Sequence, residues 1–315
     1  MLQFLARRIV FAFLALVGAT LLTFSLSRAA GDPRYLYAQE GGYGITQERW
    51  DALGVELGLD KPLIWQYGVW LGNMLKGNWQ DSLIDRKSVF NKVVTSLPVT
   101  LRLAFTSFLF ASVVGIPLGV LSAVKRGTTF DILGRGFALF GQALPVFWVG
   151  IMGILVFSVQ LDWLPSATLG ERDQGIFQWE YYVLPTVTLG WIAAASYLRL
   201  VRSAMLEIFD SEFIKLARAK GVSNNSVIWK HGFRNALIAP LTFSSLLLTG
   251  FITGAVVTES IFAIPGLGRL AFGSIQDNDF PVMVSVVMVF TTMYVVMNFI
   301  TDMLYALIDP RIRYS

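Results

Sequence analysis

The hydrophobic pattern of this chain is six long apolar runs separated by polar segments. The runs are 9–27, 103–124, 136–161, 181–198, 235–258 and 280–301, each 18 to 26 residues long and free of charge. A helix needs roughly 20 residues to cross a hydrocarbon core about 30 Å thick. Lipid offers no water to backbone amides, so runs of this length are read as helices. The pattern predicts an all-α integral membrane protein with six transmembrane helices.

Charge distribution orients these helices. Short loops rich in Lys and Arg stay on the cytoplasmic side. Arg7, Arg8, Lys125, Arg126, Arg135, the seven basic residues of 199–234, Arg311 and Arg313 account for 14 of the 25 basic residues. The short alternate loops hold Arg172 and Arg269 alone. Both termini are expected in the cytoplasm. The expected divisions are an N-terminus with its first helix over 1–27, an extracytoplasmic segment over 28–102, a transmembrane domain over 103–308 with the loop 199–234, and a cytoplasmic tail over 309–315. Arg7 and Arg8 precede a run too long for a signal peptide, so that run is read as a retained span.

Composition changes the picture mainly by exclusion. The chain is 55% hydrophobic, and its mean hydropathy is +0.60. It has no cysteine and one histidine, which removes disulfides, thiolate sites and a His-rich metal site. No GxxxxGK[ST] phosphate loop and no Gly-Lys dipeptide occur. An intramembrane enzyme would need a constellation such as HExxH or paired aspartates, and neither is evident. Asp302 and Glu259 sit at the ends of runs. They are read as structurally paired with basic partners ahead of a proton relay. His231 is read as a surface or packing residue. The near-uncharged interior argues against ion-coupled transport.

The segment between the first two runs carries a helix pattern. Asp60 as cap, Pro62 in the first turn and Gly77 as stop frame Ile64, Tyr67, Leu71, Met74 and Leu75 at helical spacing. Trp65, Trp70 and Trp79 suit a headgroup region. An interfacial helix packed on the bundle and a docking surface or gate both remain open readings. Gly115-x-x-x-Gly119 and Gly250-x-x-x-Gly254 allow close helix approach, within the chain or to another subunit. Pro117 and Pro145 are expected to kink their spans. Gln142 and Pro145 are the candidates for a bend lining a translocation path.

The loop 199–234 is the most distinctive polar segment. Ser211 can cap a helix carrying Phe213, Leu216, Ala217 and Lys220, which Gly221 stops. Ser223 can cap a second helix through Val227, Ile228 and His231. Two readings fit this short basic helix–Gly–helix: a loop that only fixes topology, or a rigid knob gripped by a cytoplasmic partner.

ARAKG at 217–221 and KHGFRNALIAP at 230–240 resemble the coupling loop of ATP-binding-cassette importer permeases, nearest the dipeptide/oligopeptide group and its first-permease (B-type) subunit. Of the broader Glu-Ala-Ala…Gly signature only Ala217 and Gly221 are kept. GDP at 31–33, LGLDKPL at 57–63, GAVVTESIFAIPGLGRL at 254–270 and DMLYALIDPRIRYS at the C-terminus extend the resemblance. It implies a type I importer permease fold in a prokaryotic cytoplasmic (inner) membrane. It implies as partners a second homologous permease, two cytoplasmic ATPases and an extracytoplasmic binding protein. No nucleic acid is implied, and ATP and magnesium belong to the ATPases. Phe213, Ala217, Arg218, Ala219, Lys220, Gly221 and Val222 become the residues expected to couple to an ATPase. Peptides are the expected cargo, with nickel chelates, oligosaccharides or glutathione as alternatives within the class. A stand-alone channel would leave the coupling loop unexplained.

Overall fold

The computed structural model describes residues 2–30, 34, 46–56, 58–166 and 179–308. The GDP at 31–33, Leu57, Arg172 and the tail 309–315 lie outside the described residues. Helices dominate: α1 (Leu2–Ala30), α2 (Gln47–Glu56), α3 (Leu63–Leu75), α4 (Val89–Val124), α5 (Thr129–Ala143), α6 (Val146–Gln160), α7 (Glu180–Phe209), α8 (Glu212–Ala219), α9 (Asn224–Ala236), α10 (Ile238–Ile261), α11 (Leu267–Gln276) and α12 (Phe280–Ile308). The latter part of α6 (Ile154–Gln160) and the middle of α9 (Val227–Phe233) are wound as π-helix. Among the described residues extended pairing is limited to one bridge between Asp81 and Ser88.

Four helices, α1, α4, α7 and α12, are each long and apolar enough to cross a membrane unaided. The third apolar run is not a single rod, and the fifth, carried almost wholly by α10, follows a bend at its start. Helices α5 and α6 meet at 105°, and α9 meets the following helix at 50°. Six crossings result if each bent pair counts as one.

The first bend follows from Pro145. Its ring disfavours helical backbone in the preceding residue, and Leu144 is extended at φ −85°, ψ 128°. The expected kink is thus a full break, with α6 starting afresh after Pro145. Pro117 does not interrupt its helix, since α4 runs as helix through both Pro98 and Pro117.

The chain divides into two compact units. The first is built on Pro98–Arg269 and centres on α7, whose buried face includes Ala193, Ala194, Tyr197, Leu198, Val201 and Met205. Small residues set its packing distances. A Cβ on Gly115 would lie 2.5 Å from the Ala194 carbonyl, and one on Gly119 would lie 2.8 Å from that of Leu198. The first Gly-x-x-x-Gly pair therefore serves packing within the chain. Gly250 and Gly254 have open space where a Cβ would stand. Asp131, which the apolar-run reading passed over, is buried on α5. It accepts from Arg202 Nε at 2.6 Å, Arg202 Nη2 at 3.0 Å, Ser122 Oγ at 2.7 Å and the Gly127 amide at 3.0 Å.

The second unit comprises Leu2–Leu97 and Leu270–Val295. Helix α3 lies against α1 through Thr20, whose hydroxyl is 2.8 Å from that of Tyr67, and through Phe24, packed on Tyr67 and Trp70. Its inward residues are Gln66 and Met74, while Ile64 and Leu75 are 80% and 81% exposed, contrary to the predicted stripe. Asp60 does not cap it. Pro62 occupies the N-cap, and the Gln66 amide nitrogen satisfies the Leu59 and Lys61 carbonyls instead. Gly77 does stop the helix. At φ 81° its amide reaches Met74 and that of Asn78 reaches Asn73, the paired closure of a glycine-terminated helix. Beyond it the loop 81–88 closes on buried Ser82, which donates to Asp279 and accepts from Lys92.

Candidate functional site

Helix α8 and the turn after it form a rigid projection. The Val222 amide donates to Ala217 at 3.1 Å and the Gly221 amide to Arg218 at 3.0 Å. Gly221 has φ 76°, a left-handed conformation that costs other L-residues roughly 1–2 kcal/mol. The stop read from ARAKG therefore has a backbone cause. The two serine caps do not. Ser211 Oγ turns back to the Ile208 carbonyl, and neither Ser211 nor Ser223 makes a side-chain cap bond.

Period 3.6 splits α8 into two faces. Ile214 is fully buried and anchors the helix, and Arg218 lies over the Phe209 ring at 6.0 Å. Phe213 and Leu216 remain 44% and 55% exposed. Lys220, Gly221 and Ala219 are exposed, and Ala217 and Val222 half-buried. Two large apolar side chains held outward on a braced helix form a surface suited to a partner. The predicted set is thus brought together, with Arg218 turned toward the protein's own Phe209. Ile214 and Leu216 were missing from that set, although the spacing within EFIKLARA carries both. Trp229, exposed and stacked edge-on to Phe233, was also missed.

The base of the projection explains KHGFRN. A Cβ on Gly232 would stand 2.8 Å from the Phe209 ring and 3.1 Å from the Val227 carbonyl. Glycine lets the π-wound segment close on the end of α7. His231 is half-buried there, and its carbonyl accepts from Asn235 at 2.6 Å.

At the α5–α6 break, Gly141 closes on Ala195, where a Cβ would approach to 2.5 Å. Phe137 packs edge-on against Trp191 at 4.7 Å. The Gln142 Nε2 and Trp191 Nε1 donors are both buried without a partner among the described residues. Unmet buried donors are uncommon and need a reason. Gln142 and Pro145 thus sit at one polar discontinuity in an apolar helix pair.

Glu259 is fully buried, and its partners are not basic side chains, contrary to expectation. It accepts from Thr100 Oγ1 at 2.6 Å, the Gly268 amide at 2.7 Å and the Arg269 amide at 3.1 Å. Thr100 in turn accepts from the Leu267 amide at 2.8 Å. The carboxylate caps the start of α11, where unsatisfied amides and the helix dipole favour negative charge. A Cβ on Gly266 would overlap the Glu259 carboxylate, and one on Gly268 would stand 2.5 Å from Val256 Cα. The motif TESIFAIPGLGRL is the local requirement of this buried cap. Asp302 is half-buried on α12.

Long apolar helices and a braced projection with Phe213 and Leu216 held outward are what the structure offers for a membrane-embedded subunit. A profile of binding-protein-dependent transport system inner membrane components matches residues 115–314, and a profile of their N-terminal part matches residues 1–104. The chain belongs to this family of inner membrane permease components. It is 38% identical to the di/tripeptide transport system permease DppB of Pseudomonas aeruginosa and 37% identical to the dipeptide permease DppB of Escherichia coli. Both alignments cover all of each chain. A peptide permease of Brucella abortus, so named provisionally, is 37% identical, again over both full lengths. Among solved structures the MetNI methionine ABC transporter superposes with a TM-score of 0.57 at 22% identity, covering 69% of this chain and 96% of that one. That likeness concerns the fold.

Proposed function

We propose that this chain is the first of two homologous permeases in an ATP-driven importer of di- and oligopeptides. Six spans cross the inner membrane, each bent pair counting once, with both termini in the cytoplasm. Residues 28–102 face the outside, where a binding protein delivers cargo, and 103–308 carry the permease core. The family's dependence on binding proteins and full-length identity to peptide permeases support this reading.

The observation that carries it is the braced face of α8. Phe213, Leu216 and Ala217 enter a groove on one of two cytoplasmic ATPases, and Lys220, Gly221 and Val222 complete the contact. Ala219 and Arg218 lie on its flanks. ATP and magnesium stay on the ATPases, and closure of that pair moves α8 as one body. Buried Ile214 transmits the motion into α7 and α9. The break at Pro145, with Gln142 beside it, borders the translocation path. The open stripe at Gly250 and Gly254 faces the second permease, whose backbone can approach there.

The test is gentle purification of the tagged chain from its native membrane, with uptake of labelled dipeptide measured in parallel. Wild type is expected to bring two ATPases and a second permease. Ala217→Glu and Gly221→Asp are expected to lose the ATPases and uptake while keeping the second permease. Recovery of wild type alone would overturn the reading.

A further inference from the structure

A cavity of about 240 Å³ opens between the end of α4, the end of α7 and the projection formed by α8 and α9. Its polar lining is Arg126, Asp210, Arg218 and Asn224, over an apolar floor that includes Phe209 and Ile228. Among the described residues Arg126 and Arg218 have no carboxylate within ion-pair distance, and Asp210 has no basic side chain within it. The contrast is with Arg202 nearby in sequence, which is bidentate on Asp131. Two guanidinium groups, a carboxylate and an amide thus share one cavity without neutralising one another.

The position of the cavity limits what can fill it. Val124 ends both α4 and the second apolar run, whereas Phe209 ends α7 eleven residues beyond the fourth run, so the mouth opens from the edge of the hydrocarbon toward the cytoplasmic side. Basic pockets between spans at this level suit lipid headgroups. The volume lies below the roughly 300–1,000 Å³ of ordinary small-molecule sites, which fits a headgroup and not a peptide. Guanidinium groups match phosphate oxygens in planar, charge-assisted pairs. Asp210 would repel a bare anion and would receive an ammonium beside the phosphate. The Phe209 and Ile228 floor accepts the glycerol end and first methylenes.

We propose that this cavity binds the phosphoethanolamine headgroup of an inner-leaflet phospholipid, with phosphate on Arg126 and Arg218 and ammonium on Asp210. The proposal rests on the reading that α8 lies at the cytoplasmic face. A bound headgroup would tie the coupling helix to the ends of two spans. Lipid would then set how firmly the projection is braced.

The experiment is native mass spectrometry of the assembled complex from nanodiscs mixing phosphatidylethanolamine, phosphatidylglycerol and phosphatidylcholine. Phosphatidylethanolamine is expected to be retained selectively. Arg126→Gln should lower that retention about tenfold, as expected for loss of a charge-assisted contact. Asp210→Asn should shift it toward phosphatidylglycerol. Both variants should still bring the ATPases, so loss of lipid selectivity is read apart from loss of assembly. Retained lipid that mirrors the bulk mixture, or retention indifferent to Arg126→Gln, would overturn the proposal. Displacement by millimolar inorganic phosphate would assign the cavity to a free phosphate and also overturn it. So would a photocrosslink from position 126 to an ATPase side chain in a lipid-free cavity.

Discussion

The carboxylate of Glu259, at the end of α10, accepts the Gly268 amide at 2.7 Å and so closes the N-terminus of α11 nine residues further on. Three donors converge on it, counting Thr100 and Arg269. Removing an N-cap acceptor costs about 0.5–2 kcal/mol, and a buried donor left unmet about 1–3 kcal/mol. Glu259→Ala should lower the thermal midpoint of the purified permease in detergent clearly. Glu259→Gln, which keeps one carbonyl acceptor, should lower it less. Equal midpoints for all three proteins would show that the cap is not stabilising.

Gly221 has open space around its missing Cβ within this chain, so there a change to Ala acts through φ alone. Gly221→Ala should cost about 1–2 kcal/mol locally and reduce ATPase recovery and dipeptide uptake in step. Gly221→Asn, which tolerates the left-handed region better, should retain more of both. Comparative uptake in membrane vesicles checks the order.

Asp131 and Arg202 join α5 to α7 by two hydrogen bonds, with Asp131 1% and Arg202 about 20% exposed. Breaking a buried pair by deleting one partner is costly, because the other charge stays behind. Asp131→Asn and Arg202→Met should each destabilise the permease, and the double variant by less than their sum. A double-mutant cycle should return a coupling of roughly 0.5–3 kcal/mol. Additive effects would sink the idea.

Asp85 titrates under a local balance. Burial pushes its carboxyl up, and hydrogen bonds from Lys92, Ser82 and the Lys87 amide outweigh this and hold it at about 2. A value below the ordinary 3.8 means that the contribution to stability is present above that pH and is lost as pH falls through about 2. The loop 81–88 should therefore resist pepsin near pH 3.8 and become cleavable toward pH 2. Lys92→Met should make it cleavable at the higher pH.

The absence of native cysteine makes labelling at the α5–α6 break clean. Gln142→Cys should react with a hydrophilic maleimide during turnover. Leu139→Cys, at a position 70% exposed on the apolar surface, should not react in the bilayer. Protection at position 142 in every state would remove it from the path.

Much of the molecule follows from local pattern. Apolar runs of spanning length, glycine stops at Gly77 and Gly221, and the outward spacing of Phe213 and Leu216 depend on backbone sterics and helical period. Those causes act within a few residues, so order along the chain contains them. The family likeness in ARAKG, KHGFRN and TESIFAIPGLGRL is legible for the same reason, as continuous motifs.

What the sequence could not reveal depends on which distant groups meet. Glu259 looked in need of a basic partner because its true partners are backbone amides of α11 and the hydroxyl of Thr100, 159 residues away. The stripe Ile64–Leu75 faces outward at both ends because α3 is set on α1 by Thr20, Phe24, Tyr67 and Trp70. The Ser211 hydroxyl went to the Ile208 carbonyl and not to a cap, and Pro145 broke its helix where α4 stays helical through Pro117. The sequence by itself determined the apolar runs of spanning length, the glycine stops and the helix that carries Phe213 and Leu216, through hydrophobicity and local sterics. Tertiary structure alone decided the partners of buried polar groups, because a hydrogen bond needs two groups in one place and their separation in sequence does not say where each will stand.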